Sequence, residues 1–125
     1  MNVLIIEDNE FLGELFEMAF RADGHKTQWC ASGKWGEIYA LEEKPDIILL
    51  DIMMPDRDGL TILETIRPQL PDIKIIICSN LNQPQYLKKA EALGANLVID
   101  KSAHTPTEIV PVSYTHLTLP TICSV

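Results

Sequence analysis

Four short apolar runs, each followed by polar residues, constrain the fold of this chain more than any other feature of its sequence. The runs are continuous and rich in Ile, Val and Leu, which is typical of parallel strands covered on both faces. They are residues 3–6 before Glu7 and Asp8, residues 47–50 before Asp51, residues 75–78 before Ser79, and residues 97–99 two positions before Lys101. Because the carboxyl ends of parallel strands meet at one edge of a sheet, the pattern predicts that these polar residues share one pocket.

Three carboxylates, a hydroxyl and an ammonium would meet in that pocket, and this combination indicates its chemistry. Neighbouring carboxylates repel one another, so a hard cation such as Mg²⁺ is their natural partner. The Lys101 side chain adds a positive point charge of the kind that binds phosphate. The group as a whole is suited to handling a phosphoryl group.

The segments between the apolar runs carry helix signals. In the first segment, apolar residues recur at helical spacing, namely Phe11, Leu15, Met18, Ala19 and Ala22. Gly24 and Gly94 are placed to end helices, and Pro68 should end another near Arg67. The predicted strands are residues 2–6, 26–30, 46–50, 73–78 and 96–99, and the predicted helices are residues 10–22, 33–43, 59–67 and 83–93. This alternation predicts an α/β fold with a doubly wound, five-stranded parallel sheet.

Length, charge and cysteine content exclude several classes of protein. A chain of 125 residues with 46% apolar content suits one domain with a single core. Its net charge of −8 would repel nucleic acid phosphates, so we expect no direct DNA or RNA binding by this chain. No apolar stretch approaches the ~20 residues that span a bilayer, and we expect neither a signal peptide nor a membrane role. Three cysteines without metal or disulfide spacing favour a cytoplasmic location.

The composition changes abruptly near residue 112. The last fourteen residues, 112–125, contain no Lys, Arg, Asp, Glu or Gly. Residues 112–121 resemble one translated frame of a transposon-end adapter used in DNA sequencing libraries. The alternative is a short C-terminal strand, because Thr, Tyr, Leu and Ile favour strands. We therefore expect one domain over residues 1–111, followed by a non-native tail over residues 112–125.

A helix start precedes this change in composition. Thr105 suits the N-cap, Pro106 suits the first helical position, and Glu108 completes a capping box. Pro111 follows, and no charged, helix-forming continuation comes after it. We therefore expect the final helix of the domain to be truncated.

The loop after the third strand identifies a family resemblance. Residues 49–59, Leu-Leu-Asp-Ile-Met-Met-Pro-Asp-Arg-Asp-Gly, resemble the phosphorylation loop of bacterial response-regulator receiver domains of two-component systems. That family has acidic residues after strand 1, an Asp after strand 3, a Ser or Thr after strand 4 and a Lys after strand 5. Glu7, Asp8, Asp51, Ser79 and Lys101 match these positions in order. The resemblance implies a flavodoxin-like sheet with strand order 2-1-3-4-5.

The resemblance also implies a role for each residue. Asp51 is the nucleophile that accepts a phosphoryl group from the phosphohistidine of a sensor histidine kinase or phosphotransfer protein. Mg²⁺ is held by Asp8, Asp51 and the backbone carbonyl of Met53, with Glu7 acting mainly through a metal-bound water. Lys101 pairs with one phosphoryl oxygen and Ser79 hydrogen-bonds to another.

On this view the domain is a switch that controls an effector domain or partner protein. It is not a classical enzyme, although it catalyses its own phosphorylation and slow dephosphorylation. We expect slow phosphoryl loss because Met53 and Leu81, two residues beyond Asp51 and Ser79, are both apolar.

Three positions depart from the family pattern. The residue three before the Lys is usually an aromatic that switches on activation, and it is Val98 here. Ser102 stands where a Pro usually follows the Lys, and a non-proline cis bond there would cost about 3–4 kcal/mol. Asn80 stands where Ala is common. These departures keep a second function open, that of a pseudo-receiver that binds partners without being phosphorylated.

Three further interpretations fit the residues less well. Glu7, Asp8 and Asn9 could simply cap the first helix, but this leaves Asp51 and Lys101 unexplained. A phosphatase of the haloacid-dehalogenase type would need an acid two residues after Asp51, where Met53 stands. A flavodoxin-like cofactor domain would need a Ser-, Thr- or Gly-rich loop after strand 1, whereas the acidic residues there repel phosphate.

Overall fold

Strands and helices alternate throughout the part of the chain that the computed structural model describes, residues 1–79 and 84–100. The strands are β1 (Asn2–Ile6), β2 (Lys26–Cys30), β3 (Ile47–Leu50), β4 (Lys74–Ser79) and β5 (Leu97–Asp100). The α-helices are α1 (Glu10–Ala22), α2 (Gly33–Glu43), α3 (Gly59–Ile66) and α4 (Pro84–Ala92), and a short 3₁₀-helix, Arg67–Gln69, follows α3. Each predicted strand and helix listed above is present, with ends that differ from the prediction by one residue at most.

The strands form one parallel sheet in the order β2-β1-β3-β4-β5. The predicted five-stranded, doubly wound fold is therefore confirmed. β1 lies next to β3 with Ile6 paired to Leu50, so the residues that follow these two strands leave the sheet side by side. This register brings the first acidic pair against the acidic residue after β3.

Helices cover both faces of the sheet, and successive residues of β3 point into two different apolar clusters. Ile48 and Leu50 belong to a cluster that also holds residues of α2, α3 and α4. Ile47 and Leu49 belong to a second cluster, with Phe16 and Phe20 of α1. Burial on both faces explains why β3 consists of four consecutive apolar residues.

The apolar stripe that predicts α1 coincides only in part with the face that packs on the sheet, where Ala19 lies against the buried cluster. Phe11 is 69% exposed and Met18 is 65% exposed, whereas Phe16 and Phe20 are fully buried. The helix carries apolar residues on several sides, so helical spacing predicts the helix but does not select its inner face. The two buried phenylalanines, four residues apart, remove more apolar area from water and decide the orientation.

Two glycines end helices as the sequence predicts. Gly24 follows α1 with a φ of +86°, and Gly94 follows α4 with a φ of +100°. Residues with a Cβ rarely adopt this left-handed conformation, so glycine is the natural residue there. α3 ends at Ile66, one residue before the predicted end at Arg67, and Pro68 lies in the 3₁₀-helix that follows.

Several sequence predictions concern residues outside the described part of the chain. These are the roles of Lys101 and Ser102, the positions of Asn80 and Leu81, the truncated final helix and the tail over residues 112–125. Within the described residues, no helix combines the length and the apolar character needed to cross a bilayer.

Candidate functional site

Three carboxylates meet at the carboxyl edge of the sheet. Glu7, Asp8 and Asp51 each offer one oxygen, and these three oxygens lie within 4.8 Å of one another. Glu7 is only 3% exposed and Asp51 only 5%, whereas Asp8 is exposed. Glu7 and Asp51 are the two buried charged residues among those the structure describes, so the edge of the sheet concentrates negative charge next to the core.

Backbone hydrogen bonds that extend the sheet place two of these acids. The Asp51 N–H donates to the carbonyl of Ile6 at 3.0 Å, and the Glu7 N–H donates to the carbonyl of Cys30 at 3.1 Å. Both residues are therefore held by the strand next to their own. The side chains start from fixed backbone positions rather than from mobile loops.

In the turn between β1 and α1, one residue caps the helix and the two residues before it belong to the acidic cluster. The Asn9 side-chain oxygen accepts a hydrogen bond from the Leu12 N–H at 3.1 Å and caps α1. The Asn9 N–H in turn donates to a carboxylate oxygen of Glu7 at 3.1 Å. The capping interpretation is thus right for Asn9, while Glu7 and Asp8 belong to the cluster.

The loop from Asp51 to Gly59 wraps closely around the acid after β3. The Met53 N–H lies 3.4 Å from a carboxylate oxygen of Asp51, and the Met53 side chain is 63% exposed. The Gly59 N–H donates to the carbonyl of Ile52 at 2.8 Å. A Cβ at Gly59 would overlap the carbonyl oxygen of Asp51, so only glycine allows this close approach.

Asp56 ties this loop to the N-terminus of α2. Its carboxylate accepts hydrogen bonds from the Ser32 hydroxyl at 2.8 Å, the Lys34 N–H at 3.0 Å and the Gly33 N–H at 3.1 Å. These bonds, led by the one from the Lys34 N–H, lower the pKa of Asp56 to about 2. The contact joins residues more than twenty positions apart in the chain, and no local pattern in the sequence predicts it.

A second contact strengthens the same connection. The Arg57 guanidinium donates to the Glu37 carboxylate of α2 at 3.0 Å, and both side chains are partly shielded from solvent. At the end of the loop, the Asp58 side chain accepts a hydrogen bond from the Leu60 N–H at 2.8 Å and caps α3. Successive acidic and basic residues thus fix the loop to α2 on one side and to α3 on the other.

The carboxylate cluster fits a divalent cation. Mg²⁺ binds oxygen at about 2.1 Å, so opposite ligands of an octahedral ion lie about 4.2 Å apart. The three carboxylate oxygens all lie within 4.8 Å of one another, so they are near enough to share one ion, either directly or through a metal-bound water. Three carboxylates at this separation repel one another, and a bound cation would offset that repulsion.

The remaining predicted site residues follow the neighbouring strands. Ser79 is the last residue of β4 and pairs with Asp100 of β5. Lys101 comes directly after β5 but lies outside the described residues, as does the side chain of Ser79. The structure therefore brings together Glu7, Asp8 and Asp51, and the roles predicted for Ser79 and Lys101 stay predictions.

Comparison with known proteins agrees with this architecture. The family described as response regulator receiver domain matches residues 3–111. Because this match spans most of the chain, the protein belongs to the receiver-domain family of two-component response regulators. The predicted family is therefore confirmed.

Curated relatives include proteins that this chain nearly spans and proteins that are much longer. The chemotaxis protein CheY of Halobacterium salinarum is 28% identical over 111 residues, which cover 89% of this chain and 92% of that protein. The transcriptional regulatory protein KdpE of Staphylococcus aureus is 35% identical over 94 residues, 75% of this chain but only 40% of that regulator. The sporulation initiation phosphotransferase F of Bacillus subtilis is 28% identical over 93 residues, which cover 74% of this chain and 75% of that protein.

Solved structures show the same fold. A CheY-like receiver domain protein from Methanospirillum hungatei JF-1 has a TM-score of 0.88 at 20% identity, covering 94% of this chain and 93% of that one. A DNA-binding response regulator of the LuxR family from Staphylococcus aureus has a TM-score of 0.80 at 26% identity, covering 87% of this chain and 92% of that one.

Proposed function

We propose that this domain accepts a phosphoryl group on Asp51 and acts as a phosphorylation switch in two-component signalling. The observation that carries the proposal is the position of Asp51, buried within a cluster of three carboxylates at the carboxyl edge of the sheet. The donor would be a phosphohistidine of a sensor histidine kinase or a phosphotransfer protein. Family membership supports this choice of partner.

The chemistry assigned to Asp51 is nucleophilic displacement at phosphorus. A carboxylate oxygen forms a bond to phosphorus while the bond from phosphorus to the imidazole nitrogen breaks, and the imidazole keeps the electron pair. The Met53 N–H, next to one carboxylate oxygen of Asp51, orients this side chain. Burial of Asp51 limits access of water to the acceptor.

Asp8, Asp51 and the backbone carbonyl of Met53 would hold Mg²⁺, with Glu7 acting through water. When bound, the ion neutralises charge on the phosphoryl oxygens and so favours transfer. Lys101 would contribute a second positive charge, and Ser79 a hydrogen bond to the transferred group. The spacing of the three carboxylate oxygens supports the metal assignment.

We further propose that phosphorylation changes the conformation of the domain and so controls an effector domain or a partner protein. The matched segment spans 40% of the length of KdpE, which is a transcriptional regulatory protein by name. The acidic charge of the present chain makes the domain itself an unsuitable binder of nucleic acid. A cytoplasmic location stays a prediction.

Slow loss of the phosphoryl group is part of the same proposal. Met53 lies two residues beyond Asp51, carries no acid or base and is 63% exposed at the mouth of the site. It therefore provides no group that would activate an attacking water. We also propose that residues 1–111 form the receiver domain, with its last helix incomplete, and that residues 112–125 contribute nothing to its activity.

Intact-mass measurement after incubation with Mg²⁺ and phosphoramidate tests the proposal. We expect the wild-type chain to gain one phosphoryl group and Asp51→Asn to gain none. Asp46→Asn is the matched control, because Asp46 lies just before β3 and its carboxylate accepts the Asn2 N–H at the opposite edge of the sheet. This control should be phosphorylated like the wild type.

The result also distinguishes the two receiver functions. No mass gain in the wild type would contradict phosphorylation at Asp51 and favour the pseudo-receiver. Gain in Asp51→Asn would place the acceptor elsewhere. Lys101→Ala extends the test, since it should slow phosphorylation even though Asp51 is intact.

A further inference from the structure

The indole ring of Trp29 holds the backbone of the acidic cluster. Its Nε1–H donates a hydrogen bond to the carbonyl oxygen of Glu7 at 2.8 Å. The N–H of Glu7 donates to the carbonyl of Cys30, the next residue of β2. Both backbone polar groups of Glu7 are therefore bonded to the same short segment of the neighbouring strand.

A glycine on α1 makes room for this indole. A Cβ at Gly13 would overlap three atoms of the Trp29 ring, including Nε1. The ring is partly buried and packs against the apolar cluster that contains Phe16 and Phe20. Close packing on one side and a hydrogen bond on the other leave the indole one well-defined position.

We infer that Trp29 is a positioning residue that sets the geometry of the Glu7 and Asp8 carboxylates for Mg²⁺. The inference rests on the proposed function, since it concerns the same metal site. The carbonyl of Glu7 belongs to the peptide unit that joins Glu7 to Asp8. Fixing its direction fixes the plane of that peptide, because the peptide bond is rigid. That plane, together with the φ angle of Asp8, sets the direction in which Asp8 projects toward Asp51.

Trp29 acts only through the backbone and contacts neither the ion nor the phosphoryl group in this assignment. Groups that orient metal ligands commonly influence metal affinity. Without the indole hydrogen bond, the Glu7 and Asp8 carboxylates can still reach the ion, but they must become ordered when the ion binds. Removal of the bond should therefore weaken Mg²⁺ binding by about three- to tenfold, the range of one hydrogen bond.

The test is an Mg²⁺ titration of the full chain labelled with ¹⁵N at tryptophan and followed by NMR. The chain contains two tryptophans, so Trp29→Phe and Trp35→Phe assign both indole resonances. Trp35 is the matched control because it is 63% exposed on α2. We expect the Trp29 indole resonance of the wild type to move with Mg²⁺ and the Trp35 resonance to stay in place.

The variants give a second, independent measurement. Trp29→Phe should raise the Kd for Mg²⁺ about three- to tenfold, and Trp35→Phe should leave it within about twofold of the wild type. In the phosphoramidate assay, Trp29→Phe should need more Mg²⁺ for half-maximal rate and recover a near wild-type rate at saturating Mg²⁺. A merely structural loss would instead lower the saturating rate.

Each outcome decides the inference. A folded Trp29→Phe variant with unchanged Mg²⁺ affinity would overturn it while leaving the proposed function intact. A wild-type chain that binds no Mg²⁺ would overturn both. Should Trp29→Phe fail to fold, the wild-type titration decides: a Trp29 indole resonance that moves with Mg²⁺ supports the inference, and one that does not move overturns it.

Discussion

The carboxylate of Asp56 accepts a hydrogen bond from the Ser32 hydroxyl at 2.8 Å, across the N-terminus of α2. The same Ser32 oxygen accepts a bond from the Trp35 N–H at 3.3 Å, so the two side chains cap the helix together. Negative charge at a helix N-terminus is stabilising because it opposes the positive end of the helix dipole. The Asp56 carboxylate thus couples the loop from Asp51 to Gly59 with α2, alongside the Arg57–Glu37 ion pair.

The first prediction concerns Asp56 and pH. Its pKa in the folded state, about 2, lies below the ordinary value of 3.8, so the folded protein binds this proton more weakly than the unfolded chain. The stabilisation is therefore fully present above about pH 4 and is lost as the pH falls toward 2. Asp56→Asn should lower the free energy of unfolding by less than about 1 kcal/mol at neutral pH, since the site is solvent-screened.

Urea denaturation at several pH values between 7 and 2 measures this effect. The difference between wild type and Asp56→Asn should shrink as the pH falls from about 4 to about 2. A difference that stays constant over this range would show that the charge of Asp56 contributes nothing. Added salt should reduce the difference at neutral pH.

The second prediction concerns Arg67, which joins three segments at the amino edge of the sheet. Its guanidinium donates to the backbone carbonyls of Leu70, Ile73 and Gly94 and to the Asn96 side chain. Arg67→Met would remove all four bonds, and among the described residues only the Leu70 carbonyl and the Asn96 side chain keep a second donor, the Ile73 and Ile75 N–H groups. The free energy of unfolding should therefore fall by about 2–4 kcal/mol. Chemical denaturation measures the change.

Arg21→Met is the matched control for Arg67→Met. Arg21 forms an ion pair with Glu17 on the surface of α1, and its side chain is 60% exposed. An exposed pair of this kind contributes at most about 1 kcal/mol. Equal losses in the two variants would contradict the role of Arg67 as a connection between segments.

The third prediction compares two glycines: an added Cβ at Gly59 should cause steric overlap, whereas one at Gly24 should cause only backbone strain. A Cβ at Gly59 would overlap the carbonyl oxygen of Asp51, whereas a Cβ at Gly24 would meet nothing within 4 Å. Gly59→Ala should destabilise the protein by about 2–3 kcal/mol through overpacking. Gly24→Ala should cost about 1 kcal/mol through its left-handed φ alone.

The rate of phosphorylation at Asp51 is a second measurement that distinguishes these two glycine variants. Gly59→Ala should also slow phosphorylation at Asp51, because it displaces the backbone of the acceptor itself. Gly24→Ala should leave the phosphorylation rate unchanged. Gly24 follows the C-terminal end of α1, whereas the acidic cluster lies before the N-terminal end of that helix. A normal rate in Gly59→Ala would indicate that the loop absorbs the added methyl group without moving Asp51.

The fourth prediction concerns repulsion within the acidic cluster. Asp51→Asn removes one of three negative charges that lie within 4.8 Å of one another. Without Mg²⁺, the variant should be more stable than the wild type by about 1 kcal/mol. Mg²⁺ should raise the Tm of the wild type, because ligand binding favours the folded state, and should raise that of Asp51→Asn much less.

Thermal unfolding with and without Mg²⁺ checks this prediction. Asp46→Asn serves again as the control, because its carboxylate bonds to the Asn2 N–H at the opposite edge of the sheet. It should respond to Mg²⁺ as the wild type does. An Asp51→Asn variant that gains the full Mg²⁺ stabilisation would argue that the ion binds elsewhere.

Local sequence signals were sufficient for the strands and helices and for most of the acidic site. Apolar runs marked β1, β3, β4 and β5, and glycines marked the ends of α1 and α4. Because parallel strands end at a common edge, the positions of Glu7, Asp8 and Asp51 at the ends of two strands were enough to predict that they meet. These features follow from spacing along the chain.

A second group of features depended on tertiary structure. Helical spacing in α1 included Phe11 and Met18, yet the packed face contains Phe16 and Phe20, because contact with the sheet and not periodicity selects the buried side. Trp29 could not be assigned to the site from sequence, since it acts through a backbone carbonyl 22 positions away.

The sequence by itself thus determined the order of strands and helices, the sheet edge at which the acids gather and the family. Only the tertiary structure decided which face of α1 is buried, that Trp29 holds the peptide after Glu7, and that Asp56 bonds to the N-terminus of α2. Periodicity and turn residues are local properties that any short segment displays. A hydrogen bond between a side chain and a distant backbone group exists only once packing has brought the two segments together.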